Sequence, residues 1–140
     1  MRSGIRLQIV DRDPDYHGVE LRAWTARFAA TTFLFVGLRQ LSELARVIDG
    51  YRPGAGVEAS YVIGTREPGF AGGYCELSLR ADAAGHVTLN VDIDDDRQRF
   101  SDGHGRFSLR TEAAPLDRFA QGLRDLEGGR CVEAYLEASV

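Results

Sequence analysis

Two cysteines, Cys75 and Cys131, are too few for the disulfide framework of a small secreted protein. Histidine is as sparse: His17, His86 and His104 each stand beside a glycine in a stretch that reads as a turn. None belongs to an H-E-x-x-H or Cys-x-x-Cys pattern, so no metal motif and no cofactor are implied. An apolar run of membrane-spanning length is missing, as is an apolar signal core after Met1-Arg2-Ser3-Gly4. The expectation is a cytoplasmic protein without a membrane partner. Clustered positive charge is absent too. The 17 basic residues are scattered among 21 acidic ones, and a formal net charge of -4 speaks against a nucleic-acid partner.

What is present is the composition of an ordinary folded domain. With 140 residues, a hydrophobic share of 44% and a charged share of 27%, the chain can bury one sizeable core and lacks the signature of disorder. One domain over residues 1–140 is expected.

Hydrophobic periodicity supplies the elements. Ile5 to Val10 reads as a strand, ended by Asp11-Arg12-Asp13-Pro14-Asp15, and residues 18–26 and 29–36 read as two strands joined by a tight reversal. The period then changes. Leu38, Leu41, Leu44, Ala45 and Ile48 recur at three and four residues, which predicts a helix over 38–49 stopped by Asp49-Gly50. A strand at 57–63 lies between two glycine-containing loops.

From Gly73 to Ala113 a three-stranded meander is expected. Cys75, Leu77, Leu79 and Ala81 alternate with polar residues, as do Val87, Leu89, Val91 and Ile93, and Gly85 supplies the left-handed position between them. Matching apolar faces sets Leu79 opposite Leu89, Leu77 opposite Val91 and Cys75 opposite Ile93. On the next strand Ile93 is expected opposite Phe107, and Asp94 opposite Arg106. A second helix over 115–127 carries the stripe Leu116, Phe119, Ala120, Leu123 and Leu126, with Phe119 at its centre and in the core. Residues 131–136 add a final edge strand. The sum is an α+β fold, a mainly antiparallel sheet of about six or seven strands with two amphipathic helices on one face.

The acidic runs Asp11-x-Asp13-x-Asp15 and Asp92-x-Asp94-x-Asp96 have the spacing that opens a calcium loop. They lack its glycine at position six and its glutamate at position twelve. No G-x-S-x-G elbow exists, and Gly54-Ala55-Gly56 and Gly69 to Gly73 fit neither phosphate-binding pattern. The outward row Glu76, Arg80, Asn90, Asp92, Arg106 and Arg110 reads as a mixed-charge face. It lacks the central aromatics of an RNA-reading sheet.

The runs Ala83-Ala84-Gly85-His86-Val87-Thr88-Leu89-Asn90-Val91 and Phe107-Ser108-Leu109-Arg110-Thr111-Glu112-Ala113-Ala114-Pro115-Leu116-Asp117-Arg118-Phe119 resemble a family of small uncharacterised actinobacterial proteins. The resemblance implies a meander with a closing helix and, through a looser likeness to contact-toxin immunity proteins, a protein partner. It implies no catalytic residue.

The leading functional expectation is therefore a non-enzymatic protein-binding module, immunity-like or regulatory. One alternative is a small hydrolase or ligand-binding enzyme assembled from loops, which needs a pocket where a histidine meets a carboxylate. Another is a purely structural homo-oligomer. Parity in the strand before the first helix turns Phe28, Leu34 and Val36 inward and leaves Phe33 and Phe35 outward. With Trp24 these predict the interface of a symmetric homodimer, the alternative being that the segment 131–137 or the loop 64–73 shelters Phe33 and Phe35.

Overall fold

Strands whose apolar residues recur at every second position bury one face, and here eight of them do so in two sheets. The computed structural model describes residues 3–51, 58–65, 72–95 and 103–138. The elements in chain order are β1 (Ser3–Arg12), β2 (Tyr16–Trp24), β3 (Ala29–Gly37), α1 (Gln40–Gly50), β4 (Glu58–Gly64), β5 (Tyr74–Ala81), β6 (Val87–Asp94), β7 (His104–Thr111), α2 (Ala113–Glu127) and β8 (Ala134–Ala138).

Sheet A has the order β3-β2-β1-β8 and sheet B the order β4-β5-β6-β7, and all pairs are antiparallel. The α+β class stands, with the strands shared between two sheets. The chain runs twice through the order βββαβ, and the last strand of each unit joins the other unit's sheet, β4 on β5 and β8 on β1. The helix stripes repeat in step: Leu41, Leu44, Ala45 and Ile48 have the spacing of Leu116, Phe119, Ala120 and Leu123, and all eight are buried.

This exchange of end strands ties the sheets together. Inward residues of both sheets and both helices form one buried cluster. The helices pack on each other, α1 also against β4 and α2 against β8. The sheets meet where β3 approaches the start of β5. There the Gly73 N–H donates to the Phe33 carbonyl at 2.9 Å, and the buried Thr32 hydroxyl donates to the Asp94 carbonyl at 3.0 Å. At the other junction the Thr111 hydroxyl donates to the Glu137 carbonyl at 3.2 Å.

The expected β5–β6 register is observed, residue for residue. The β6–β7 register differs by two positions: Val91 faces Phe107, Ile93 faces Gly105, and Arg106 faces Asp92 instead of Asp94. A two-residue slip keeps every side chain on its face, so apolar matching could not detect it. Three smaller differences are local. Helix α1 begins at Gln40 and includes Gly50, which leaves Leu38 outside the stripe and 44% exposed. Phe28 sits in the β2–β3 turn, where strand parity does not apply, and is 65% exposed. A bulge between Ile9 and Asp11 lets β1 run on to Arg12. The Arg12 guanidinium then donates to the Leu126 and Glu127 carbonyls, capping the C-terminus of α2. No helix among the described residues is long and apolar enough to cross a membrane.

Candidate functional site

Each sheet has an outward face, and the two differ in chemistry. On sheet B the strand registers align outward residues in rows across the strands. One row is Glu58, Arg80, Thr88 and Arg110, the next Ser60, Ser78, Asn90 and Ser108, and the third Val62, Glu76, Asp92 and Arg106. The structure thus brings all six expected polar residues, Glu76, Arg80, Asn90, Asp92, Arg106 and Arg110, onto one face. A shallow depression of about 390 Å³ lies among Glu76, Asn90, Asp92, Arg106 and Ser108.

Much of this face satisfies itself. The Ser108 hydroxyl donates to Asn90 Oδ1 at 2.6 Å, Arg106 Nε donates to Asp92 Oδ2 at 3.3 Å, and Arg110 lies 3.7 Å from Asp82. Such pairs at the surface contribute a few tenths of a kcal/mol, up to about 1.

His104 was not singled out by its sequence context. Of the three histidines expected in turns, it opens β7 instead, and His17 lies buried on the inner face of β2. The register sets His104 opposite Asp94, with Asp92 on the adjacent row. Its Nε2 is 2.6 Å from Asp92 Oδ1 and its Nδ1 3.8 Å from Asp94 Oδ1. Asp92 Oδ1 makes no hydrogen bond of ordinary angle, so the shorter approach is a close contact between the ring and the carboxylate. Tyr74 stands edge-on to the ring, with centroids 6.4 Å apart. Only the true register could have revealed this group.

The outward face of sheet A sets aromatic clusters among charged residues that include Arg6, Glu20, Arg22 and Glu137. Phe33 and Phe35 pack edge to face at 5.0 Å, and Tyr16 meets Phe35 the same way at 5.2 Å. Both phenylalanines are half-buried. Phe33 lies over Gly18, where a Cβ would stand 2.8 Å from its ring, and Gly72 approaches Phe35. A second cluster lies over Gly4: Trp24 stacks on Tyr135 at 5.9 Å, and the Arg22 guanidinium lies 5.6 Å from the Trp24 ring centroid. The expected trio Trp24, Phe33 and Phe35 is therefore on one face but in two clusters, and each includes a tyrosine the sequence reading had not selected. Glycine floors under aromatics are the device that links them.

Among the described residues no group of three or more His, Cys, Asp or Glu side chains could hold a metal ion. Asp96 and Gly54 to Gly56 lie outside the described residues, as do Gly69 to Ala71. The cysteines differ in environment. Burial, reinforced by the Asp92 and Glu76 carboxylates, pushes the Cys75 thiol well above its ordinary range, whereas Cys131 is half-buried near the Glu133 carbonyl. A disulfide reagent at neutral pH is expected to titrate one thiol in the folded protein and the second only after denaturation, with Cys131→Ser abolishing the first phase. Two rapidly reacting thiols would contradict the burial of Cys75.

No family model, no curated protein and no solved structure matches the chain.

Proposed function

We propose that this protein is a non-enzymatic protein-binding module that forms a homodimer through the outer face of sheet A and serves an immunity-like or regulatory role. The observation that carries the reading is the pair of aromatic clusters on that face, Tyr16-Phe33-Phe35 and Trp24-Tyr135 with Arg22. Aromatics and arginine are the residues in which interfaces are enriched, and a symmetric second copy is the commonest cover for such a patch. The cytoplasmic location and the actinobacterial resemblance belong to the same proposal.

Sedimentation equilibrium over a hundredfold concentration range tests it. The wild type is expected to dimerise, and a Phe33→Asp, Phe35→Asp variant that keeps its circular dichroism spectrum is expected to weaken the dimer at least tenfold. A wild type that stays monomeric throughout would overturn the dimer.

The hydrolase alternative is favoured by one observation, His104 beside Asp92 at the mouth of a groove. Acid–base catalysis needs one imidazole nitrogen free for the reacting proton. Nε2 of His104 lies against Asp92 Oδ1, whereas Nδ1 is 3.8 Å from Asp94 Oδ1 and beyond hydrogen-bond reach, so hydrolysis stays the second reading. The structural homo-oligomer differs from the leading reading only in lacking a second partner.

A further inference from the structure

Among the described residues β7 is the last strand of sheet B, and only β6 pairs with it. The Asp95 N–H donates to the Gly103 carbonyl at 2.9 Å, which sets the alternation of that ladder. Odd-numbered residues of β7 turn their backbone N–H and C=O groups toward β6. Those of Arg106, Ser108 and Arg110 turn away from it. Among the described residues no backbone group meets them on that side. A free row of this kind is a template for a further strand.

A groove runs beside this edge. Two adjoining depressions of about 480 and 470 Å³ share Phe28 and Phe107 in their walls, and Ala30 and Ile93 line the first. Phe28 is held outward by its turn, in which the Thr25 hydroxyl accepts from the N–H groups of Arg27 and Phe28. The groove therefore offers apolar lodging for side chains on the inner side of an added strand.

On the outer side the edge strand itself presents arginines, with Asp92 and Asp82 paired to them from neighbouring positions and Asp95 in the wall of the first depression. β7 carries Arg106 and Arg110 and no carboxylate, and Arg27 stands on the opposite wall. All 17 basic residues of the chain are arginine, whose planar fork suits carboxylates. Asp92 engages only Nε of Arg106, which remains 76% exposed. The same charges disfavour a second copy. Two β7 edges paired antiparallel about Ser108 would set Arg106 of each against Arg110 of the other on one face.

We propose that the free edge of β7 is a strand-addition site for one extended segment of an acidic partner protein, its carboxylates facing Arg106 and Arg110 and its apolar side chains lodged by Phe28 and Phe107. This deepens the protein-binding reading and rests on it, but it uses a surface separate from the proposed dimer face.

The test is a fluorescence-anisotropy titration of the full chain with two labelled heptapeptides, one alternating glutamate with valine and one alternating lysine with valine. The glutamate peptide is expected to bind at least tenfold more tightly, with the advantage reduced at high salt. Ser108→Pro, which removes an outward N–H at a position where an edge strand accepts proline, is expected to weaken binding at least tenfold. Arg106→Glu with Arg110→Glu should reverse the preference between the peptides. Glutamate peptides N-methylated on either set of alternate residues supply the same backbone test without altering the protein, and the set that faces β7 should lose binding. Equal affinity for both acidic and basic peptides, no binding of either up to about 1 mM, or indifference to both backbone changes overturns the proposal. Self-association abolished by Ser108→Pro would assign the edge to a second copy and also overturn it. Loss of the dimer in the Phe33, Phe35 variant with peptide binding intact separates the two surfaces.

Discussion

Replacing Phe119 by alanine is expected to lower the unfolding free energy by about 3–5 kcal/mol, enough to unfold much of a protein of ordinary stability. Phe119 is 1% exposed and is the largest side chain on the buried stripe of α2. It occupies the position that Leu44 takes on α1, and the two helices pack on each other as well as on β4 and β8. Truncation removes a benzyl group from a cluster to which both sheets contribute, and neighbours held by two hydrogen-bonded ladders can close only part of the cavity. Phe119→Leu, which fills most of the volume, should cost less than half as much. Urea denaturation with a shared slope measures both, and an alanine midpoint equal to wild type would remove α2 from the core.

Gly73→Ala should be the most damaging of three glycine substitutions, at about 3 kcal/mol, the upper end of what overpacking costs. Gly73 is wedged where the sheets join. A Cβ there would overlap the Asp94 carbonyl of β6 and the Thr32 hydroxyl of β3, and neither can retreat without breaking the contact between them. Gly85 and Gly37 separate the causes. Gly85 has a φ of +87 and open space around it, so alanine there should cost about 1 kcal/mol of backbone strain alone. Gly37 has neither constraint and should be close to neutral. Equal midpoints for Gly73→Ala and Gly37→Ala would show that the junction yields without cost.

The edge of β7 and the aromatic face of sheet A follow from one arrangement. Giving each unit's last strand to the other sheet closes the core, and among the described residues β7 is paired on one side only. Natural sheets guard such edges with charge, and Arg106 and Arg110 serve that purpose against self-pairing while remaining open to carboxylates. The proposed binding edge and the proposed dimer face lie on different sheets, so the two proposals do not compete for one surface.

The sequence by itself determined the elements and their faces. Alternation at period two assigned Cys75, Leu77 and Leu79 to the core and Glu76, Arg80 and Asn90 to solvent. The three-and-four spacing of Leu38, Leu41, Leu44, Ala45 and Ile48 marked the buried side of α1, and all of these stand as expected except Leu38, which precedes the helix and is exposed. Facing is a local property, set by backbone geometry within a few residues. Partnership is not. Whether Arg106 meets Asp94 or Asp92 changes no residue's face, so only the closed ladder distinguished them. It was that ladder which carried His104 to Asp92 and Asp94. The division into two sheets likewise depends on where β4 and β8 end their crossings, each pairing with a strand many residues away. Tyr135 reached Trp24, and the outward row of β7 was left open, for the same reason. Strand order and edges are settled by which closure buries the most apolar surface across the whole chain, a sum that no window of sequence contains.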